Sequence, residues 1–269
     1  MIMKPARQLP NLITLVNLLL GCLAIVFLFH DHIRVLVSAE SYYYHGRLHY
    51  DLLHFGKAHV ASALVMIAAV LDFADGYLAR RLGAASAFGK QLDTLADLVT
   101  FGVVPGLMAY QLLAISLFDS VAAFRLGMFL FVPGLLIPVC GAIRLAKFSV
   151  DERQVVDFRG LPIPAAGLFI ASLLLAVKFE SGLIRMLALN TYVLYGVILG
   201  LSALMVSDIP MISLKFERGN IARNRLRVVL ILVVAGVCGL GFLAGLSVAL
   251  IPLGVLVYIL FALAINLKK

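Results

Sequence analysis

Eight apolar runs, each close to the roughly 20 residues a helix needs to cross a bilayer, follow one another along this 269-residue chain. They fall at about 9–29, 55–79, 90–117, 126–148, 162–179, 188–207, 228–246 and 248–266. In lipid every backbone N–H and C=O must find its partner within the protein, so runs of this length can cross only as helices. Composition agrees. The chain is 63% hydrophobic and 13% charged, whereas a soluble domain is about half apolar and about a quarter charged. The expected fold is all-α: a polytopic membrane helical bundle of about eight transmembrane helices, forming a single integral membrane domain over residues 1–269. The polar segments are too short to build a separate soluble core. The last two runs are almost continuous, and a hairpin is expected around Gly245 to Ser247.

Loop charge sets the expected orientation. With the N terminus in the cytoplasm, sixteen of the 22 Lys and Arg residues fall on the inner side and six on the outer side. The alternation holds at every loop, which predicts both termini in the cytoplasm. The net charge of +8 then belongs to topology and to anionic lipid head groups, and no nucleic-acid partner is expected. Met1 to Gln8 is short and basic and lacks a small-residue cleavage site, so the first helix is expected to be retained. Cys22, Cys140 and Cys238 all lie in apolar stretches and read as packing residues. All six histidines fall between His30 and His59, with Tyr42-Tyr43-Tyr44 among them. The spacing of His45 and His49 would suit zinc, but an outer-face amphipathic stretch with interfacial tyrosines is favoured.

The chemistry is concentrated in two adjacent runs. Asp72, Asp75, Gly76, Ala79 and Arg80 share one face of a helix at about 100° per residue. Gly89, Asp93 and Asp97 share a face of the next. The eight residues between Arg80 and Gly89 make a short connection, so the two helices are antiparallel neighbours and their acidic faces can converge. Each carboxylate in an apolar span costs about 2.5–3.5 kcal/mol on insertion scales. Arg80 and Lys90 cannot neutralise four of them. Hard divalent cations, magnesium or manganese, are the natural partners, and two would balance the charge. Gly76, Ala79 and Gly89 leave room for a nucleotide near the backbone, and Arg80 offers a fork to phosphate oxygens.

The pattern Asp72-x2-Asp75-Gly76-x2-Ala79-Arg80-x8-Gly89-x3-Asp93-x3-Asp97 resembles the defining motif of the CDP-alcohol phosphotransferase family at all eight fixed positions. The resemblance implies a two-metal centre held by Asp72, Asp75, Asp93 and Asp97, with Asp97 also the general base. It implies CDP-lipid contacts at Asp72, Gly76, Ala79, Arg80, Ser86 and Gly89. Pro10-Asn11-Leu12-Ile13-Thr14 resembles the segment that lines the cytidine side, which adds Asn11 and Thr14; a helix-start cap is the competing reading for both. A homodimer is implied by the resemblance alone.

Three further segments resemble the bacterial and archaeal membrane phosphatidylserine synthase branch: Leu9 to Leu18, Ala142 to Phe148, and Phe158 to Ala166. With the motif they place a catalytic core at 9–179 and additional C-terminal transmembrane helices at 188–266. The branch implies transfer of a phosphatidyl group from CDP-diacylglycerol to L-serine with release of CMP, at the inner membrane and on its cytoplasmic side. Arg144 and Arg159 lie near the expected cytoplasmic mouth and are candidates for the serine carboxylate, against a plain role as topology anchors. Two alternatives remain at this level: a family member using inositol phosphate or glycerol phosphate, and a cation-coupled transporter, which also employs intramembrane carboxylates.

Overall fold

The computed structural model describes residues 8–42, 57–82, 86–117, 127–150, 158–180, 182–211, scattered positions between 228 and 239, and 249–266. Helices dominate: α1 (Leu9–Tyr42), α2 (Ala58–Arg81), α3 (Ala87–Asp97), a π-helical segment (Leu98–Val103) leading into α4 (Val104–Ser116), α5 (Leu136–Val150), α6 (Ile163–Phe179), α7 (Gly182–Ala188), α8 (Thr191–Val206) and α9 (Leu250–Asn266). Two 3-10 turns, Gly127–Leu130 and Val132–Leu135, lead into α5. Among the described residues four helices are long and apolar enough to cross a membrane: Leu9–Phe29, Ala58–Leu78, Ala87–Ser116 and Val132–Ser149. A fifth is added if α7 and α8, bent by 63°, count as one span. The chain is a membrane protein. Of the remaining expected runs, 162–179 and 248–266 are helical as α6 and α9, and 228–246 lies largely outside the described residues.

The pairing of α1 with α2 sets the frame. On α1 the buried positions are Pro10, Thr14, Asn17, Gly21, Ala24 and Leu28. On α2 the row Ala58, Ala61, Val65, Ala68 and Asp75 is buried, with half-buried Asp72 completing it and Ser62 buried beside it. Both rows alternate steps of three and four, the 3.5-residue repeat of a left-handed helix pair. Small side chains along the seam let the backbones approach, as in membrane interfaces generally. The pair is antiparallel: Thr14 meets Asp75 at one end, and Lys57 Nζ lies 5.8 Å from the Phe27 ring centroid at the other. Val70, Phe73 and Tyr77 face outward at 69%, 75% and 51% exposure, as lipid-facing residues should.

α1 differs from the expected span. It runs on past residue 29 to Tyr42, 34 residues in all. The extension contains no Gly or Pro to stop it. His45 and His49 lie outside the described residues.

α6 occupies the middle of the bundle, packing on α2, α4, α9 and the π segment. At 17 residues it is about 25 Å long, short of the ~30 Å hydrocarbon core. Its surroundings are protein rather than lipid, because Ala166, Ile170, Ala171 and Ala176 are wholly buried. Glycines make the close approaches. A Cβ on Gly167 would lie 2.9 Å from Phe101 O, and one on Gly141 would lie 2.5 Å from Ile163 Cδ1.

A two-residue ribbon was not anticipated. β1 (Phe158–Arg159) pairs antiparallel with β2 (Pro210–Met211), setting Phe158 opposite Met211 and Arg159 opposite Pro210. The segment Gly160-Leu161-Pro162 then docks under the end of α8. Gly160 N donates to Ile209 O at 2.9 Å and Leu161 N to Leu204 O at 3.0 Å. Leu161 is fully buried, and Pro162 precedes the first turn of α6. Lys147 Nζ adds a bond to Val206 O at 3.2 Å, a cation on the free carbonyls of a helix C terminus.

Gly160 has φ +72°, and a Cβ there would sit 2.6 Å from Met205 O and 2.9 Å from Ser207 O. Gly160→Ala is therefore expected to destabilise the fold by roughly 1–3 kcal/mol, read as a lowered melting temperature of the purified protein. Gly196, with nothing within 4 Å of a built Cβ, is the control: Gly196→Ala should leave the melting temperature in place.

Candidate active site

The seam between α1 and α2 ends in the site. On α2 the packed row Ala58, Ala61, Val65 and Ala68 continues at the same spacing into Asp72 and Asp75. The helix thus carries its carboxylates inward on the face that already packs against α1. Asp75 is 4% exposed. Across the seam Thr14 is also buried, and its hydroxyl donates to Asp75 Oδ2 at 2.8 Å, with Pro10 O at 3.0 Å as the alternative acceptor.

α3 brings the other half. Ser86 caps the helix, its Oγ accepting from Gly89 N at 3.0 Å, the usual way to satisfy a free N–H in the first turn. Gly89 lies against α1: a Cβ there would sit 2.8 Å from Asn11 Oδ1. Asn11, Ser86 and Gly89 therefore meet at one end of the α1–α3 contact. Asp93 and Asp97 follow at steps of four, half-buried. The π segment begins directly after Asp97. Such segments often mark functional positions in helices. This one turns Phe101, Val104 and Met108, all fully buried, into the core.

The carboxylates converge. One oxygen each from Asp72, Asp75 and Asp93 lies within 4.8 Å of the others. The Asp97 side chain meets that of Asp72 at hydrogen-bonding distance, and Asp97 Oδ1 is buried without a partner. Two carboxylates in contact cannot both stay ionised without a cation or a proton to share. The donor set is entirely carboxylate oxygen, which is chemistry for a hard divalent ion rather than a thiophilic one. The residues fit a divalent metal.

Among the other expected site residues, Gly76 is half-buried one position beyond Asp75. Ala79 and Arg80 lie in the last turns of α2, with side chains outside the described residues. Arg144 on α5 is 7% exposed, with an unpartnered Nε, and stands within electrostatic reach of Asp97 and Tyr258. Arg159 is exposed on the ribbon. The structure thus brings Asn11, Thr14, Ser86, Gly89 and the four aspartates to one end of the bundle, with Arg144 within electrostatic reach of Asp97.

Residues 7–207 match the CDP-alcohol phosphatidyltransferase family. The CDP-diacylglycerol–serine O-phosphatidyltransferase of Bacillus subtilis is 34% identical over 203 residues, covering 76% of this chain and 89% of that protein. The protein of the same name from Helicobacter pylori strain 26695 is 30% identical over 223 residues, covering 81% and 77%. The archaetidylserine synthase of Methanothermobacter thermautotrophicus is 34% identical over 119 residues, covering 44% and 47%. The chain belongs to the CDP-alcohol phosphatidyltransferase family.

As a member of this family it is a phosphotransferase, and its acidic pair of helices carries the family's motif. Three features of the site were missing from the motif. Thr14 is tied to Asp75. Asn17 is fully buried, with neither side-chain atom hydrogen-bonded, and its carbonyl accepts from Thr100 Oγ1 at 3.2 Å. Tyr258, on α9 beyond the family-matching residues, lies within electrostatic reach of Arg144. Asn17 could have been found from its spacing, since Asn11, Thr14 and Asn17 recur every three residues in the otherwise apolar stretch Leu9–Phe29.

The Thr14 bond orients one carboxylate of the cluster from outside it, the kind of support whose loss weakens metal sites by about 10–100-fold. Thr14→Val is expected to lower Mn2+ affinity by on the order of tenfold, measured calorimetrically on purified protein, while Thr14→Ser keeps it. Equal affinity in all three proteins would separate Thr14 from the acidic cluster.

Proposed function

We propose that this chain is a phosphatidylserine synthase, transferring the phosphatidyl group from CDP-diacylglycerol to L-serine with release of CMP. The convergence of Asp72, Asp75 and Asp93 within 4.8 Å, inside the shared motif, carries the phosphotransfer. The relatives' names carry the acceptor: those from Bacillus and Helicobacter are both serine phosphatidyltransferases.

The reading assigns the chain's own residues as follows. Asp72, Asp75, Asp93 and Asp97 form the acidic cradle. Two divalent ions, magnesium or manganese, balance its four charges and, when bound, neutralise the diphosphate of the lipid nucleotide. Gly76, Ala79 and Gly89 let the nucleotide approach the helix backbones, Asn11 lies on the cytidine side, and Arg80 and Ser86 contact the CDP group. Thr14 holds Asp75. Asp97 takes the proton from the serine hydroxyl as its oxygen attacks the lipid-side phosphorus. The new P–O bond forms as the bond to CMP breaks, and Arg80 stabilises the charge on the leaving phosphate. Arg144 takes the serine carboxylate; Arg159, exposed on the ribbon, guides the anion toward the mouth.

The topology belongs to the same reading. Eight spans with both termini inside put the acidic ends of α2 and α3 at the cytoplasmic face of the inner membrane. There a lipid nucleotide enters from the leaflet and serine enters from water. The core of residues 9–179 performs the transfer, and the helices of 188–266 complete the bundle around it.

Purified protein given CDP-diacylglycerol and each candidate alcohol in turn is expected to release CMP with L-serine, and not with inositol phosphate or glycerol phosphate. CMP release with a phosphorylated alcohol alone would move the chain to another branch of the family. Asp97→Asn is expected to lower turnover by on the order of 10³-fold while CDP-lipid binding persists in an equilibrium assay. Near-normal turnover in that variant would remove Asp97 from the role of base. Chelation with EDTA should abolish CMP release, and added Mg2+ or Mn2+ should restore it.

A further inference from the structure

The motif shared across the family handles the nucleotide and the metal, so selection of the alcohol must come from residues outside it. α9 lies beyond the family-matching residues, yet it is built into the bundle. Ala249 N, at its start, donates to Glu180 Oε1 at 3.1 Å, an anion where the free N–H groups of a helix start are found. The helix then packs along α6 and against β2. Ile259 and Ala262 enter the core, and Tyr258, half-buried, packs against it.

Tyr258 stands within electrostatic reach of Arg144, and Arg144 within reach of Asp97. Three functional groups from three helices therefore follow one another: carboxyl, guanidinium, phenol. Arg144 is 7% exposed and its Nε has no hydrogen-bond partner. A buried cation with an unused donor is costly unless an anion completes it. Asp97 does not complete it: Arg144 Nε and Asp97 Oδ1 are both buried without a hydrogen-bond partner.

We propose that Arg144 and Tyr258 form the acceptor's carboxylate subsite, the guanidinium and the phenol hydroxyl both donating to the carboxylate of a small hydroxy-amino acid whose hydroxyl meets Asp97. The proposal rests on the reading of L-serine as acceptor. A carboxylate offers two oxygens with about four lone-pair sites, which an arginine fork and one hydroxyl can share. Its single negative charge matches one guanidinium, whereas a phosphorylated alcohol carries close to two. Tyr258 would thus be a specificity residue supplied from outside the shared catalytic region.

The test compares wild type, Tyr258→Phe and Arg144→Lys as full-length purified proteins, varying L-serine and CDP-diacylglycerol separately and measuring CMP release. Tyr258→Phe is expected to raise KM for L-serine about five- to tenfold, the loss of one charge-assisted hydrogen bond, with KM for CDP-diacylglycerol held within about twofold. Serine methyl ester, which lacks the negative charge, should be a poor acceptor for wild type, and its disadvantage relative to L-serine should shrink in Tyr258→Phe. Arg144→Lys, which keeps the charge and loses the fork, should shift the same constant in the same direction. A wild-type KM for L-serine in Tyr258→Phe overturns the subsite. So does an equal rise in KM for both substrates, which would mark α9 as scaffold. Either result leaves wild-type CMP release with serine intact and so spares the proposed function. A wild-type protein that ignores serine overturns both.

Discussion

The contact between α1 and α2 is the constraint on which the site depends. Two rows of small or short residues, spaced by threes and fours, let the helices run antiparallel in close contact. Where the row on α2 turns acidic, the row on α1 turns polar. Thr14 meets Asp75, and Asn17 lies one turn further in. A carboxylate placed at random on a membrane helix faces lipid and carries a full desolvation penalty. Placed in register on a packing seam, it faces protein and a hydroxyl. The same interface that stabilises the helix pair therefore aims the chemistry, and neither function can shift without the other.

The rest of the bundle holds the second acidic helix against that frame. α3 carries Asp93 and Asp97, and the π segment that follows is clamped on several sides. Thr100 reaches Asn17 O on α1, and a Cβ on Gly21 would collide with Thr100 Oγ1 at 2.5 Å. Gly167 on α6 closes on Phe101, and Gly102 lies among Ile163, Leu98 and Pro138. These contacts tie the residues just after Asp97 to α1, α5 and α6 at once. A close-packed interior has low compressibility and resists small displacements strongly, which suits a site where four like-charged groups must be held near one another.

Most of this was legible in the sequence where the signal was periodic or chemical. The apolar runs marked the helices, and the spacing of the four aspartates placed them on facing surfaces. What the sequence did not disclose depends on packing in three dimensions. A cap was one reading of Thr14, and the structure gives its hydroxyl to Asp75, because a helix start has no local record of what stands across from it. The π segment has no compositional signature; its hydrogen-bond register follows from how Thr100 and Phe101 pack. The β1–β2 ribbon is two residues per strand, far too short for an alternation to be seen. Arg144 was noticed for its charge, but its burial, which gives the charge meaning, was not.

The charge balance of the buried end explains why that burial matters. Four carboxylates attract cations strongly and repel anions, yet both substrates of the proposed reaction bring negative charge: the lipid nucleotide its diphosphate and the amino acid its carboxylate. Divalent ions at the acidic cluster answer the first. They do not answer the second: in the proposed reaction the acceptor presents its neutral hydroxyl to Asp97 and keeps its anionic end away from the aspartates. A fixed cation near Asp97 answers this charge. Arg144 lies within electrostatic reach of Asp97 and is buried enough that its field is little screened by water. In the proposed complex, repulsion from the acidic cluster and attraction to the guanidinium would act together, turning a small zwitterion so that its hydroxyl faces Asp97.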